Sequence, residues 1–121
     1  MALSHAQPGQ PIDIAPLGSS LAQAASHAIL KTRSLELMRI VLPRGTALPP
    51  HSVYGELVLQ CLEGAVAVEA TGEAFELRRH QLVLLPARQA YALRALEDTS
   101  LLMTVQLPPG APGSASSTSA S

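Results

Sequence analysis

Three features of the 121-residue sequence predict an antiparallel all-β fold, closed into a barrel or folded into a two-sheet sandwich. Short apolar runs recur between residues 28 and 106 at roughly the 8–12-residue spacing of sandwiches and barrels. Pro or Gly punctuates most of the gaps between them. Two gaps, Glu63-Gly64 and Thr71-Gly72, have the length of tight hairpin turns, in which Gly supplies positive φ. Joins that short require antiparallel neighbours. The composition agrees with one domain built around a large apolar core: 47% of residues are apolar, and only 14% are charged against about 25% in a typical domain.

In chain order, residues 1–20 form an N-terminal arm, because Pro8, Gly9, Pro11 and Pro16 oppose any regular element. Ile12 and Ile14 alternate around Asp13 and predict a short edge strand there. Ser19 or Ser20 caps a turn or two of helix over Leu21-Ala22-Gln23-Ala24-Ala25, since Ser caps well and Ala propagates well. Within a barrel domain over 21–107, strands are expected at 28–31, 35–42, 56–62, 65–70, 74–77, 82–85, 91–95 and 101–106. The breaks fall at Pro43-Arg44-Gly45, Pro49-Pro50, Arg79-His80 and Pro86-Ala87-Arg88, besides the two hairpin turns. Residues 108–121 contain only Pro, Gly, Ala, Ser and Thr; nothing there offsets the entropy of ordering, so a disordered tail is expected.

Alternate residues of a strand face opposite sides. Val66 and Val68 share one face; Leu57, Leu59 and Cys61 share another, with Val58, Gln60 and Leu62 behind them. A strand apolar on both faces is covered twice. One cover is a second sheet, and the other is either the terminal arm or a second copy of the chain. The second option predicts a homodimer through outward Val58 and Leu62.

A net charge of −1 gives neither the basic footprint of nucleic-acid binding nor a polybasic membrane surface. Cys61 is the single cysteine, so no internal disulfide forms. Neither a signal-like leader nor an apolar span of about 20 residues is present, and a cytoplasmic location is expected.

The stretch Gly45-Thr-Ala-Leu-Pro-Pro-His51-Ser-Val-Tyr-Gly-Glu-Leu-Val-Leu-Gln-Cys-Leu-Glu-Gly64 resembles the first motif of the cupin superfamily. His80-Gln-Leu-Val-Leu-Leu-Pro86-Ala-Arg-Gln-Ala-Tyr91 resembles the second. The resemblance spans about residues 35–105 and implies an antiparallel jelly-roll-like β-barrel, often dimeric, in which many members hold one divalent metal. Carried over residue by residue, His51 matches the first ligand position, while Val53, Leu57 and Tyr91 stand at the other three. Ala95 replaces an Asn, and His80 and Arg88 replace two motif glycines. One ligand position of four survives, so no tightly bound metal or other cofactor is expected. A bulge at Gly55 that re-phased Glu56 is the one route to a restored divalent-metal site.

The candidate ligand-binding residues are therefore His51, Val53, Leu57, Leu59 and Tyr91, with Cys61 on the same wall. His51 is either a residual ligand or pocket base, or an imidazole held by a backbone carbonyl near the barrel mouth. Tyr91 either donates to a bound molecule or satisfies its hydroxyl within the barrel. Arg39, inside an apolar strand, lies on an exposed face with a packed stem or, turned inward, clamps a carboxylate or phosphate. Cys61, Met38 and Met103 belong to the core, and His80 is solvated. The leading expectation is a barrel that binds a small molecule without a metal. The alternatives are a metal-dependent dioxygenase or isomerase using His51, and a structural dimerisation module with a filled barrel.

Overall fold

A computed structural model describes residues 5–109 of the chain. Residues 1–4 of the arm and 110–121 of the expected tail lie outside the described residues. Among the described residues, nine strands follow a 3₁₀ turn at Gly18–Gln23. They are β1 (His27–Lys31), β2 (Leu35–Leu42), β3 (Ala47–His51), β4 (Leu57–Glu63), β5 (Ala65–Ala70), β6 (Glu73–Arg78), β7 (Leu82–Leu85), β8 (Tyr91–Ala95) and β9 (Thr99–Gln106). They build a five-stranded sheet in the order β1-β2-β9-β4-β7 and a four-stranded sheet in the order β3-β8-β5-β6. Every pairing is antiparallel.

The expected runs at 35–42, 65–70, 82–85 and 91–95 coincide with β2, β5, β7 and β8 residue for residue. Gly64, Thr71 and Gly72 all take positive φ, as the two hairpin turns require. β1, β4 and β6 differ from expectation by one residue at one or both ends, and two strands depart further. β9 begins at Thr99, two residues early, because polar Thr99 and Ser100 are fully buried there. Thr99 Oγ1 lies within hydrogen-bonding distance of the carbonyls of Ala65 (2.9 Å) and Glu97 (2.7 Å). At β3 the sequence predicts a break, since Pro49-Pro50 removes two amide donors. The strand forms because it lies at a sheet edge, where a missing N–H faces solvent instead of a neighbour.

The inner faces of the two sheets pack Leu42, Leu57, Leu59, Cys61, Val66, Val68, Leu77, Leu85, Leu93, Leu101, Met103 and Val105 into one core. The outer face of the five-stranded sheet carries a second cluster of Ile29, Leu62 and Leu102, roofed by Ile12 of the arm. The double cover read from β4 is thus supplied, at Leu62, by the chain's own N-terminus. Leu62 is buried inside the protomer and is not an outward interface residue. The expected edge strand around Ile12 and Ile14 does not form: Ile14 is exposed, and among the described residues of the arm one main-chain contact reaches β1, from Ala6 N to Ile29 O.

No serine caps the 3₁₀ turn. Its free amides at Leu17 and Gly18 donate instead to the carboxylate of Glu63, at 2.8 and 3.0 Å. Ser100 Oγ donates to the same carboxylate at 2.5 Å, and Arg39 stands 3.7 Å from it. Burial pushes the Glu63 carboxyl up. The hydrogen bonds from Leu17, Ser100 and Gly18, together with the Arg39 charge, outweigh that effect and hold it below the ordinary carboxylate range. Arg39 is therefore not on an exposed face. It is 5% exposed, beneath the arm, with a carboxylate to balance its charge.

Candidate functional site

His51 ends β3 and Tyr91 opens β8, and the two residues are register partners. Leu48 pairs with Leu93, so regular alternation would set Pro50 opposite Tyr91. The register shifts between Leu48 and His51, inserting one residue at the prolines. That bulge turns His51 onto the face that Tyr91 shares with the core. The rings meet with centroids 4.7 Å apart and planes inclined by 48°. Tyr91 Oη lies 3.2 Å from His51 Nε2.

The environments of the two rings differ sharply. Tyr91 is 2% exposed, and its hydroxyl also lies 3.9 Å from Met103 Sδ on the opposite sheet. Burial pushes the phenol up to about 12, so it keeps its proton at neutral pH. The imidazole nitrogen is the nearer and stronger acceptor for that proton. Donation to Nε2 assigns the imidazole hydrogen to Nδ1. His51 is itself exposed. The pair therefore runs from the core to the surface, presenting an imidazole edge to solvent with a fixed donor behind it.

Val53 is half-buried against the core, and its carbonyl accepts from Arg88 N at 2.9 Å. The Arg88 guanidinium lies 4.6 Å from the centroid of exposed Tyr54. Val53, Tyr54 and Arg88 are thus brought together just after the end of β3, where His51 stands. Nothing local in the sequence signals the Tyr54–Arg88 stack, which joins chain segments 34 positions apart. Leu57, Leu59 and Cys61 do face inward, at 1%, 0% and 0% exposure. They are packed into the core behind Tyr91. Burial pushes the Cys61 thiol up, consistent with an inert core residue.

The donor set does not fit a metal. Val53 and Leu57 offer no ligand atom, and Tyr91 holds its proton too firmly to serve as a phenolate. Glu56 does not replace them, because it is exposed and its backbone pairs with Gln106. Gly55 is required for a different reason than a bulge: a Cβ there would collide with the Gln106 carbonyl. Among the described residues no group of three or more His, Cys, Asp and Glu side chains is placed to hold an ion.

Two surface clefts flank the barrel. One, of about 420 Å³, lies beside the β5–β6 turn between Pro50, Glu69, Gly72 and Gln89. The other, of about 330 Å³, lies under the arm. Neither is lined by Val53, Leu57 or Leu59. No helix among the described residues is long and apolar enough to cross a membrane.

No family model matches the chain. No curated protein matches it either. Solved structures do. A cupin superfamily protein from Desulfitobacterium hafniense superposes with a TM-score of 0.70 at 11% identity, covering 89% of this chain and all of its own. A conserved protein of unknown function from Streptococcus pyogenes gives 0.69 at 21% identity, covering 91% of this chain and all of its own. Salicylate 1,2-dioxygenase from Pseudoaminobacter salicylatoxidans gives 0.61 at 22% identity, over 67% of this chain but only 25% of the enzyme. At such identities the shared feature is the fold, and the fold of this chain is that of the cupins.

Proposed function

We infer that the chain is a cupin-fold binding module that takes a small molecule at its rim, without a tightly held metal. The observation that supports this most directly is the His51–Tyr91 pair. A buried phenol fixes an exposed imidazole in one orientation, which leaves the outer edge of that ring open to a ligand. The barrel interior is filled by Leu57, Leu59, Leu93, Leu101 and Met103, so the ligand sits over the mouth and not deep within it. Its polar group meets the His51 edge, and its apolar part meets Val53 and the Tyr54–Arg88 stack above the Leu57 and Leu59 floor. Such a site suits a compact, mostly apolar molecule with one or two hydrogen-bonding groups.

A thermal-shift screen of small metabolites on the wild type and on His51→Ala tests this reading. A ligand that binds the native state raises the melting temperature with its concentration. The reading requires that the rise be lost in the variant.

A second reading is favoured by a separate observation. Leu82 and Leu84 of the edge strand β7 are 61% and 57% exposed, beside half-buried Val58. A second copy of the chain covering these three residues would make the protein a homodimer, with the packed barrel serving as a structural module.

A further inference from the structure

Arg88 holds a backbone conformation that an arginine rarely takes. Its φ is 63°, in the left-handed region that glycine enters freely and residues with a Cβ enter at a cost. The turn is tied on both sides: Gln89 N donates to Pro86 O at 3.3 Å, and Arg88 N donates to Val53 O at 2.9 Å. Glycine would make both contacts without strain, so they do not account for the side chain. Strained positions of this kind concentrate where a binding site needs a particular group at one point.

The side chain has a definite place. Its guanidinium lies over the Tyr54 ring, 4.6 Å from the centroid. Stacking covers one face of the planar group and leaves the N–H donors in that plane free. Among the described residues no carboxylate pairs with it, the ion pairs there being Arg39–Glu63 and Arg78–Glu76. Arg88 and Tyr54 are both exposed, so the stack presents an oriented cation to solvent.

His51 stands close by. Val53, which accepts from Arg88 N, is two residues beyond His51, a stretch of chain that spans at most about 7 Å. On the facing segment Arg88 lies three residues before Tyr91, the register partner of His51. The Tyr91 hydroxyl donates to His51 Nε2, so the imidazole offers Nδ1–H to solvent. Two neighbouring groups thus present donors, one of them charged, beside half-buried Val53. Glu56, the nearest carboxylate along the chain, is carried toward β9, where its backbone pairs with Gln106.

We propose, resting on the rim reading above, that the molecule held there is an organic carboxylate. Its oxygens accept from the Arg88 guanidinium and from His51 Nδ1–H, and its apolar part lies against Val53 and Tyr54. An ammonium group would meet like charge, and a neutral amide would forgo the charge-assisted hydrogen bonds.

Calorimetric titration of the full chain with sodium benzoate, benzamide and benzylamine tests this, with nitrogen–proton correlation spectra locating each compound. Benzoate is expected to shift the amide signals of Val53, Tyr54 and Gln89 saturably. It should bind at least about tenfold more tightly than benzamide, with benzylamine weaker still. The preference should shrink as salt is added, because the arginine is exposed. Arg88→Gly relieves the backbone and should bring benzoate down to the benzamide level. His80→Gly, the same change at the β6–β7 turn, should leave both affinities as they are. Benzamide or benzylamine binding at these signals as tightly as benzoate overturns the carboxylate assignment while the rim reading stands. So does a benzoate preference that survives in folded Arg88→Gly protein. Absence of saturable shifts at the rim with all three compounds overturns both.

Discussion

Tyr91 Oη stands 3.2 Å from His51 Nε2, joining a side chain sealed in the core to one open to solvent. The pairing depends on a single inserted residue at Pro49-Pro50, without which the imidazole would point away from the phenol. Removing the hydroxyl with Tyr91→Phe should cost about 0.5–1.5 kcal/mol of stability, the value of one neutral hydrogen bond. Chemical denaturation of both proteins checks this.

The same phenol predicts an alkaline transition. Its folded pKa, about 12, lies above the value near 10 of an unfolded tyrosine. The stabilisation is complete below about 10 and is lost as pH rises from there through about 12. In a Tyr54→Phe background Tyr91 is the only tyrosine, and phenolate absorbance should report a midpoint near 12. A midpoint near 10 would show that the ring is not sealed in the core.

Glu63 predicts the opposite dependence. Its folded pKa lies below the unfolded value of about 4.3, so its contribution is present above that pH and is lost as pH falls through the folded value. Glu63→Gln should cost about 1–3 kcal/mol at neutral pH, because it strips Arg39 of its counter-charge and weakens the cap on Leu17 and Gly18. The difference from wild type should shrink on acidification. Urea unfolding across a pH series measures it.

His80 and Arg88 occupy two turn positions with φ of 73° and 63°, a conformation that disfavours any residue with a Cβ. His80→Gly should therefore stabilise the fold by about 0.5–1 kcal/mol, net of the extra entropy glycine loses. Denaturation midpoints of variant and wild type suffice.

If β7 is a dimer edge, light scattering should give twice the chain mass of 12.6 kDa, and Leu84→Asp should return it to the monomer value. A wild-type mass of 12.6 kDa across micromolar concentrations would remove the structural-module reading.

Much of the architecture was legible because apolar runs, turn glycines and strand parity all act locally. The inward set Leu57, Leu59 and Cys61 follows from alternation alone. What escaped the sequence depends on distant partners. Thr99 and Ser100 look like loop residues until Ala65 and Glu63 supply their hydrogen bonds. Arg39 looks solvent-facing until an arm some 20 residues earlier covers it. Pro49-Pro50 signals a break, and only its edge position makes it a strand. At the rim, His51 and Tyr91 were identified through the motif spacing, whereas the bulge that brings them together leaves no local trace beyond the two prolines.

Native mass spectrometry of gently purified protein tests the central claim most directly. The account predicts a population carrying an organic small molecule, no metal adduct, and loss of the bound species in His51→Ala. A stoichiometric divalent metal that disappears with the same substitution would contradict it.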